Sequence, residues 1–227
     1  MKKYICLIPA RAGSKRVPNK NILKLNDKPL IKHSIDFALQ ISSKSDIYVS
    51  TDSEIAQSIA KDSGVNIHKR PNKFSLDDTS MIEATLDFIN TYEISEDTNL
   101  VLLQPTNPFR DIEYFNRLKK LYERDPKASS AISVVRCTFF HPSKIGDLSI
   151  GNTFKRLEVN PEHNIDNDKK RPYYVVSGSY YIVSIFNLIR NNSFIGNRPI
   201  GLEESLSKFC NIDTQLDFKI AELLAND

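Results

Sequence analysis

The sequence predicts an α/β fold, a Rossmann-like three-layer sandwich whose mostly parallel sheet is covered by helices on both faces. Short apolar runs of strand length alternate along the chain with longer segments whose apolar residues recur at helical spacing. The 227 residues, 40% hydrophobic and 26% charged, suit one compact domain with a sizeable core, so residues 1–227 are expected to form a single unit. In such a sheet ligands bind at the carboxyl ends of the strands, which makes the loops after strands the place to look for chemistry.

Each element has its own signal. Tyr4 to Ile8 is an apolar run closed by turn residues and reads as a buried strand feeding the loop Pro9 to Asn21. Pro29 suits a first helical turn, with Leu30, Ile31, Ile35, Ala38, Leu39 and Ile41 behind it at helical spacing. Ile47 to Ser50 is a second strand. Ser53 caps a helix that ends at Gly64, where a missing side chain fits a left-handed turn. Val65 to His68 is a weaker strand, Ile82, Leu86 and Ile89 mark a helix, and Leu100 to Leu103 is an apolar strand ended before Pro105. Asp111 caps a helix carrying Phe115, Leu118, Leu121 and Tyr122. Ala131 to Val135 and Tyr180 to Val183 read as strands, and Thr214 to Leu224 as the final helix. Between them, Arg136 to Pro172 turns polar and rich in Asn and Lys, an excursion expected to cover the site or form a subunit contact.

Bulk properties exclude several classes. A net charge of +3, with basic and acidic residues interleaved, argues against a nucleic acid polymer as partner. Cys6, Cys137 and Cys210 are far apart without metal or disulfide spacing, which implies reduced thiols and a cytoplasmic setting. The apolar run before Pro9 is too short for a membrane span. His33, His68, His141 and His163 show no metal spacing either and read as packing or surface residues.

The sharpest signal is the loop after the first strand. Pro9-Ala10-Arg11-Ala12-Gly13-Ser14-Lys15-Arg16, with Lys20 and Asn21 beyond, sets small residues, approachable amides and four cations where a polyphosphate can be cradled. A solvated basic turn is the plain alternative. The loop matches neither G-x-x-x-x-G-K-[ST] nor G-x-G-x-x-G, so ordinary ATPase and dinucleotide readings lose support.

Ile8 to Arg16 followed by Asn19-Lys20-Asn21-Ile22 resembles the opening signature of the acylneuraminate cytidylyltransferase family. Val49 to Ser53, Lys69-Arg70-Pro71, Asp78-Thr79, Leu102 to Arg110 and Asn211 to Phe218 resemble later blocks of that family in the same order. The resemblance implies CTP and an acidic 2-keto sugar of the sialic acid type as substrates, magnesium as cofactor, pyrophosphate release, and a homodimer. It carries nucleotide contacts onto Ala10, Arg11, Ala12, Gly13, Ser14, Lys15, Arg16, Lys20, Asn21, Arg70 and Thr79. Sugar contacts fall on Gln104, Thr106, Lys144, Arg171 and Tyr181, and catalytic roles on Arg11, Lys20 and Asp213. The metal falls on Asp213 and Asn211, where the family pattern has two aspartates and this chain has Asn211 at the first.

The residues allow plainer readings beside these. Gln104 in a proline-rich turn can bond its own backbone, Arg110 can be a charge at the start of the helix paired with Asp111, and Asp213 can cap the helix after it. Ser177-Gly178-Ser179 stands where sialic acid enzymes carry Asn-Gly-Ala with an arginine upstream, here Val175, so sugar contacts differ. Rivals are transfer to legionaminic, pseudaminic or eight-carbon keto acids, a non-catalytic nucleotide-binding protein, and a glycosyltransferase.

Overall fold

A computed structural model of the protein describes residues 3–76, 78–137, 145–149, 152–156 and 172–225. The chain runs from β1 (Tyr4–Pro9) through a long loop and a tight hairpin, β2 (Lys24–Leu25) with β3 (Lys28–Pro29), into α1 (Leu30–Ile41). Strand and helix then alternate: β4 (Ile47–Thr51), α2 (Glu54–Asp62), β5 (Asn66–Lys69), α3 (Met81–Thr91), β6 (Asn99–Leu102), α4 (Ile112–Arg124) and β7 (Ser130–Arg136). The described part of the excursion is a small hairpin, β8 (Gly146–Leu148) with β9 (Phe154–Arg156). The chain returns as β10 (Tyr174–Ser184), α5 (Ile185–Asn191), β11 (Pro199–Glu203) and α6 (Gln215–Leu224).

Seven strands form the main sheet in the order β11-β7-β10-β6-β1-β4-β5. All pairings are parallel except those of β10, which runs against both β6 and β7. The sheet is mostly parallel, as its sequence predicts, and the alternation of side chains explains its two covered faces. Cys6, Ile8, Val101 and Leu103 point to a cluster with Ile31, Ile35 and Ala38 of α1, Ala56 of α2 and Phe115 and Leu118 of α4. Ile5, Leu7, Leu100 and Leu102, one residue out of phase, point to a second cluster with Phe88 and Ile89 of α3 and Ile185 and Leu188 of α5. A third joins Leu25, Leu30, Cys210, Ile212 and Ala221. That small cluster docks α6 beside α1 and so carries the segment before α6 to the end of β1.

Helix ends follow local chemistry. The Ser53 hydroxyl accepts from Ala56 N, the Asp111 carboxylate accepts from Tyr114 N, and Ser80 with Glu83 forms a reciprocal box at α3. Gly64 follows α2 with φ +72°. At α6 the cap is Thr214, boxed with Asp217, and Asp213 stands one residue ahead of it.

Two elements exceed the sequence expectation. Strand β10 starts at Tyr174, six residues before the expected Tyr180, and its register shifts between Val176 and Tyr181 around Gly178, φ +82°. Helix α5 and edge strand β11 were not foreseen at all. Among the described residues, no helix is long and apolar enough to cross a membrane.

Candidate active site

The loops after β1, β5 and β6 and the segment before α6 enclose a cleft of about 560 Å³ at the carboxyl ends of the strands. From the first loop come Arg11, Ser14, Lys15, Arg16, Lys20 and Asn21. Arg70 follows β5, Gln104, Pro105 and Thr106 follow β6, Met81 opens α3, and Asn211 and Asp213 close the far side. Five of these lining residues are cations and one, Asp213, is an acid, so the cleft selects an anionic ligand.

Backbone and side-chain bonds hold the walls in place. The first loop is tied down by Ala12 N donating to Asp52 Oδ1 at 2.7 Å and Asn21 Nδ2 donating to the Arg11 carbonyl at 3.0 Å. Arg11 Nη1 donates to the Leu76 carbonyl at 3.0 Å. An added Cβ at Gly13 meets nothing within 4 Å, so no protein neighbour requires a glycine there. Lys20 bridges the cleft, its Nζ donating to the Ile212 carbonyl at 2.7 Å and to Asp213 Oδ1 at 3.0 Å. Ile212 N in turn donates to the Thr106 carbonyl at 2.9 Å.

Asp213 is thus free of the capping duty its position allowed. Its second oxygen, Oδ2, accepts from Asn211 Nδ2 at 3.0 Å, and Asn211 Oδ1 accepts from Asn107 Nδ2 at 3.4 Å. Asn107 Oδ1 and Glu204 Oε1 both face the Ser179 hydroxyl, at 3.4 and 2.8 Å. Burial raises the Glu204 carboxyl above its ordinary pKa. Gln104 and Asn107 also crowd Gly178, where an added Cβ would stand 3.3 Å from Gln104 Oε1 and from Asn107 Nδ2.

A model of the family described as cytidylyltransferase matches residues 5–146, more than half of the chain. The chain belongs to the cytidylyltransferase family. It is 32% identical over 219 residues to the N-acylneuraminate cytidylyltransferase of Streptococcus agalactiae serotype V, covering 95% of this chain and 52% of that protein. The chain therefore spans about half the length of that relative. It is equally 32% identical over 230 residues to the CMP-N,N'-diacetyllegionaminic acid synthase of Legionella pneumophila, covering 98% of this chain and 96% of that one. A CMP:2-keto-3-deoxy-manno-octonic acid synthetase solved with CTP aligns over 99% of both chains with a TM-score of 0.71 at 19% identity, which shows the shared fold.

This member of the family brings together most of the residues singled out in its sequence. Arg11, Ser14, Lys15, Arg16, Lys20, Asn21, Arg70, Gln104, Thr106, Asn211 and Asp213 share the one cleft. Ala10 and Ala12 line a much smaller hollow behind the loop. Thr79 stands apart with its hydroxyl on the Lys73 carbonyl, and Tyr181 packs its ring against Phe194, with its hydroxyl toward Gly178. Lys144 and Arg171 lie outside the described residues.

Sequence reasoning assigned no role to Asp52, Asn107, Glu204 or the buried function of Arg110. Arg110 donates to the Ser179 carbonyl at 2.9 Å, the Ser34 hydroxyl at 3.0 Å and the Gln104 carbonyl at 2.7 Å. It clamps the β6 loop to the β10 bulge. Burial pushes its pKa down to about 10, which leaves it charged at neutral pH.

Proposed function

We propose that this cytidylyltransferase transfers CMP from CTP to the anomeric hydroxyl of an acidic 2-keto sugar of the nonulosonic class, releasing pyrophosphate. The observation that carries the proposal is the cleft itself, five cations and a lone carboxylate at the carboxyl ends of the strands. The hydroxyl oxygen forms a bond to the α-phosphorus, the bond from that phosphorus to the bridging oxygen breaks, and the hydroxyl proton passes to water. Arg11, Lys15 and Arg16 receive the charge that develops on pyrophosphate, and approachable loop amides around Gly13 hold the phosphates. With no protein neighbour demanding it, the glycine answers to the ligand. Gln104 and Thr106 face the sugar, and Lys144, Arg171 and Tyr181 complete its contacts in this reading.

Magnesium fits the donor set at Asp213. The Asp213 carboxylate is half-exposed on the cleft wall and already accepts a cation, Lys20, while Asn211 turns its amide nitrogen to Asp213 and offers its oxygen to a metal only when that amide turns over. Among the described residues no group of three or more His, Cys, Asp or Glu stands together. A magnesium ion held by Asp213 and Asn211 would therefore take its other ligands from phosphates and water, which is its usual preference. Bound there, it neutralises phosphate charge and acidifies the attacking hydroxyl.

Equal identity to a sialic acid enzyme and a legionaminic acid enzyme supports the acceptor class and either of its members. A turnover panel tests the nucleotide half of the proposal: pyrophosphate release with CTP is expected to exceed that with ATP, GTP or UTP. Equal turnover with all four would remove CTP from the account.

We also propose a cytoplasmic homodimer. Tyr174, Val175 and Val176, at the start of β10 beside the excursion, are exposed in one chain, and covering them by a second copy removes that apolar surface from water. The three cysteines are free thiols. Sedimentation is expected to report about twice the 25.9 kDa chain mass; a species of single-chain mass at every concentration contradicts the dimer.

A further inference from the structure

Behind the cleft wall, a line of buried polar side chains leads away from Arg70. Arg70 lines the cleft but is only 6% exposed. Its Nε donates to the Ser50 hydroxyl at 3.1 Å and its Nη2 to the Ser50 carbonyl at 3.1 Å. That hydroxyl lies 2.9 Å from His68 Nδ1, and His68 Nε2 faces Asp87 Oδ2 at 3.3 Å. Both His68 Nε2 and Asp87 Oδ2 are buried and neither makes a hydrogen bond among the described residues, so each is the polar group that faces the other. The imidazole is packed edge-on against the rings of Phe88 and Tyr92 on α3.

Hydrogen-bonding capacity fixes the direction of this line. A guanidinium only donates and a carboxylate only accepts. Because Asp87 can only accept, a neutral imidazole best keeps its proton on Nε2 toward Asp87, and Nδ1 then accepts from the Ser50 hydroxyl. That is the neutral tautomer, and burial favours it by lowering the His68 pKa. A histidine kept only to fill space among aromatic rings has no need of polar atoms at both ends, since an apolar ring fills it without desolvating two nitrogens.

We propose that His68, oriented by Asp87, is a positioning residue: through Ser50 it sets the direction in which the Arg70 guanidinium meets the nucleotide. The inference rests on the reading of Arg70 as a nucleotide contact. His68 does not line the cleft, so its influence on CTP runs through Arg70 alone.

The test is CTP affinity by titration calorimetry, well below each variant's melting temperature, for His68→Phe, His68→Asn, Asp87→Asn, Arg70→Ala and the double variant His68→Phe/Arg70→Ala. Phe keeps the ring and removes both nitrogens. His68→Phe is expected to weaken CTP binding about tenfold, the scale of a lost hydrogen bond to a charged group. Asn, whose amide oxygen can accept from Ser50 as Nδ1 does, restores most of the loss. Asp87→Asn gives a smaller loss in the same direction and serves if the Phe variant does not fold. In the double variant the His68 change adds nothing to the loss from Arg70→Ala. Wild-type affinity in both His68→Phe and Asp87→Asn, with Arg70→Ala impaired, overturns the relay alone, as do additive losses in the double variant. Wild-type affinity in Arg70→Ala overturns the nucleotide reading of Arg70 and the relay with it.

Discussion

Asp213→Asn is expected to lower turnover about a hundredfold or more while the protein still folds. The carboxylate stands on the cleft wall between Lys20 and Asn211, and the helix behind it is capped by Thr214 and Asp217 without its help. Substitution therefore removes a charge from the reaction centre and nothing from the cap. Groups that stabilise developing charge in a transition state carry effects of about two to three powers of ten. The cost in stability is the Lys20 ion pair, worth about 1 kcal/mol or less at a half-exposed carboxylate. The converse change, Asn211→Asp, sets a second carboxylate beside Asp213 and is expected to increase the rise in melting temperature that magnesium produces. Pyrophosphate release and melting curves against magnesium concentration read both variants. Turnover near wild type in Asp213→Asn at limiting magnesium removes Asp213 from the chemistry.

Arg110→Met is expected to cost the fold more than any substitution of a cleft cation. Arg110 is half-buried, and its three donors serve two carbonyls and a hydroxyl contributed by the β6 loop, β10 and α1. Methionine fills part of the volume between Phe37 and Tyr180, but it takes the Arg110 donor from the Ser179 carbonyl and the Ser34 hydroxyl, while the Gln104 carbonyl keeps Asn107 N. An acceptor left unsatisfied costs about 1–3 kcal/mol, so a total of about 2 kcal/mol follows from these two part-buried ones. For a chain of this size that is roughly 4–8 °C in melting temperature. Lysine keeps the charge but has no planar fork to span three acceptors, and recovers only part of the loss. An unchanged melting temperature in Arg110→Met contradicts the clamp.

What the sequence reveals of this molecule is what depends on neighbours close in the chain. Tyr4 to Ile8 is a short apolar run closed by turn residues, so a buried β1 is visible in the residues themselves, while the division of Cys6 and Ile8 from Ile5 and Leu7 between two cores is not. The caps at Ser53 and Asp111 are equally local. The cations of the first loop are legible because one turn holds them all. Strand β10 is legible only in its buried half, since Tyr174, Val175 and Val176 are exposed and Gly178 interrupts the alternation. Its reversed direction depends on pairing with β6 and β7, which no local pattern encodes. Helix α5 has seven residues and β11 alternates between half and full exposure, too short and too weakly apolar to stand out. The roles of Asn107, Arg110 and Glu204 come from partners distant in sequence, such as Asn211, which is 104 positions from Asn107. Asp213 illustrates the same limit at short range: sequence alone allows it as the cap of α6, and only the box between Thr214 and Asp217 releases it for the cleft.

The central claim is the transfer of CMP from CTP to an acidic 2-keto sugar, and phosphorus NMR of the reaction mixture tests it most directly. With the protein, magnesium, CTP and a nonulosonic acid, the three CTP signals should give way to pyrophosphate and a single new CMP phosphodiester in equal amounts. No change should occur when the sugar is left out. Release of orthophosphate, or loss of CTP that proceeds equally without the sugar, would contradict the account.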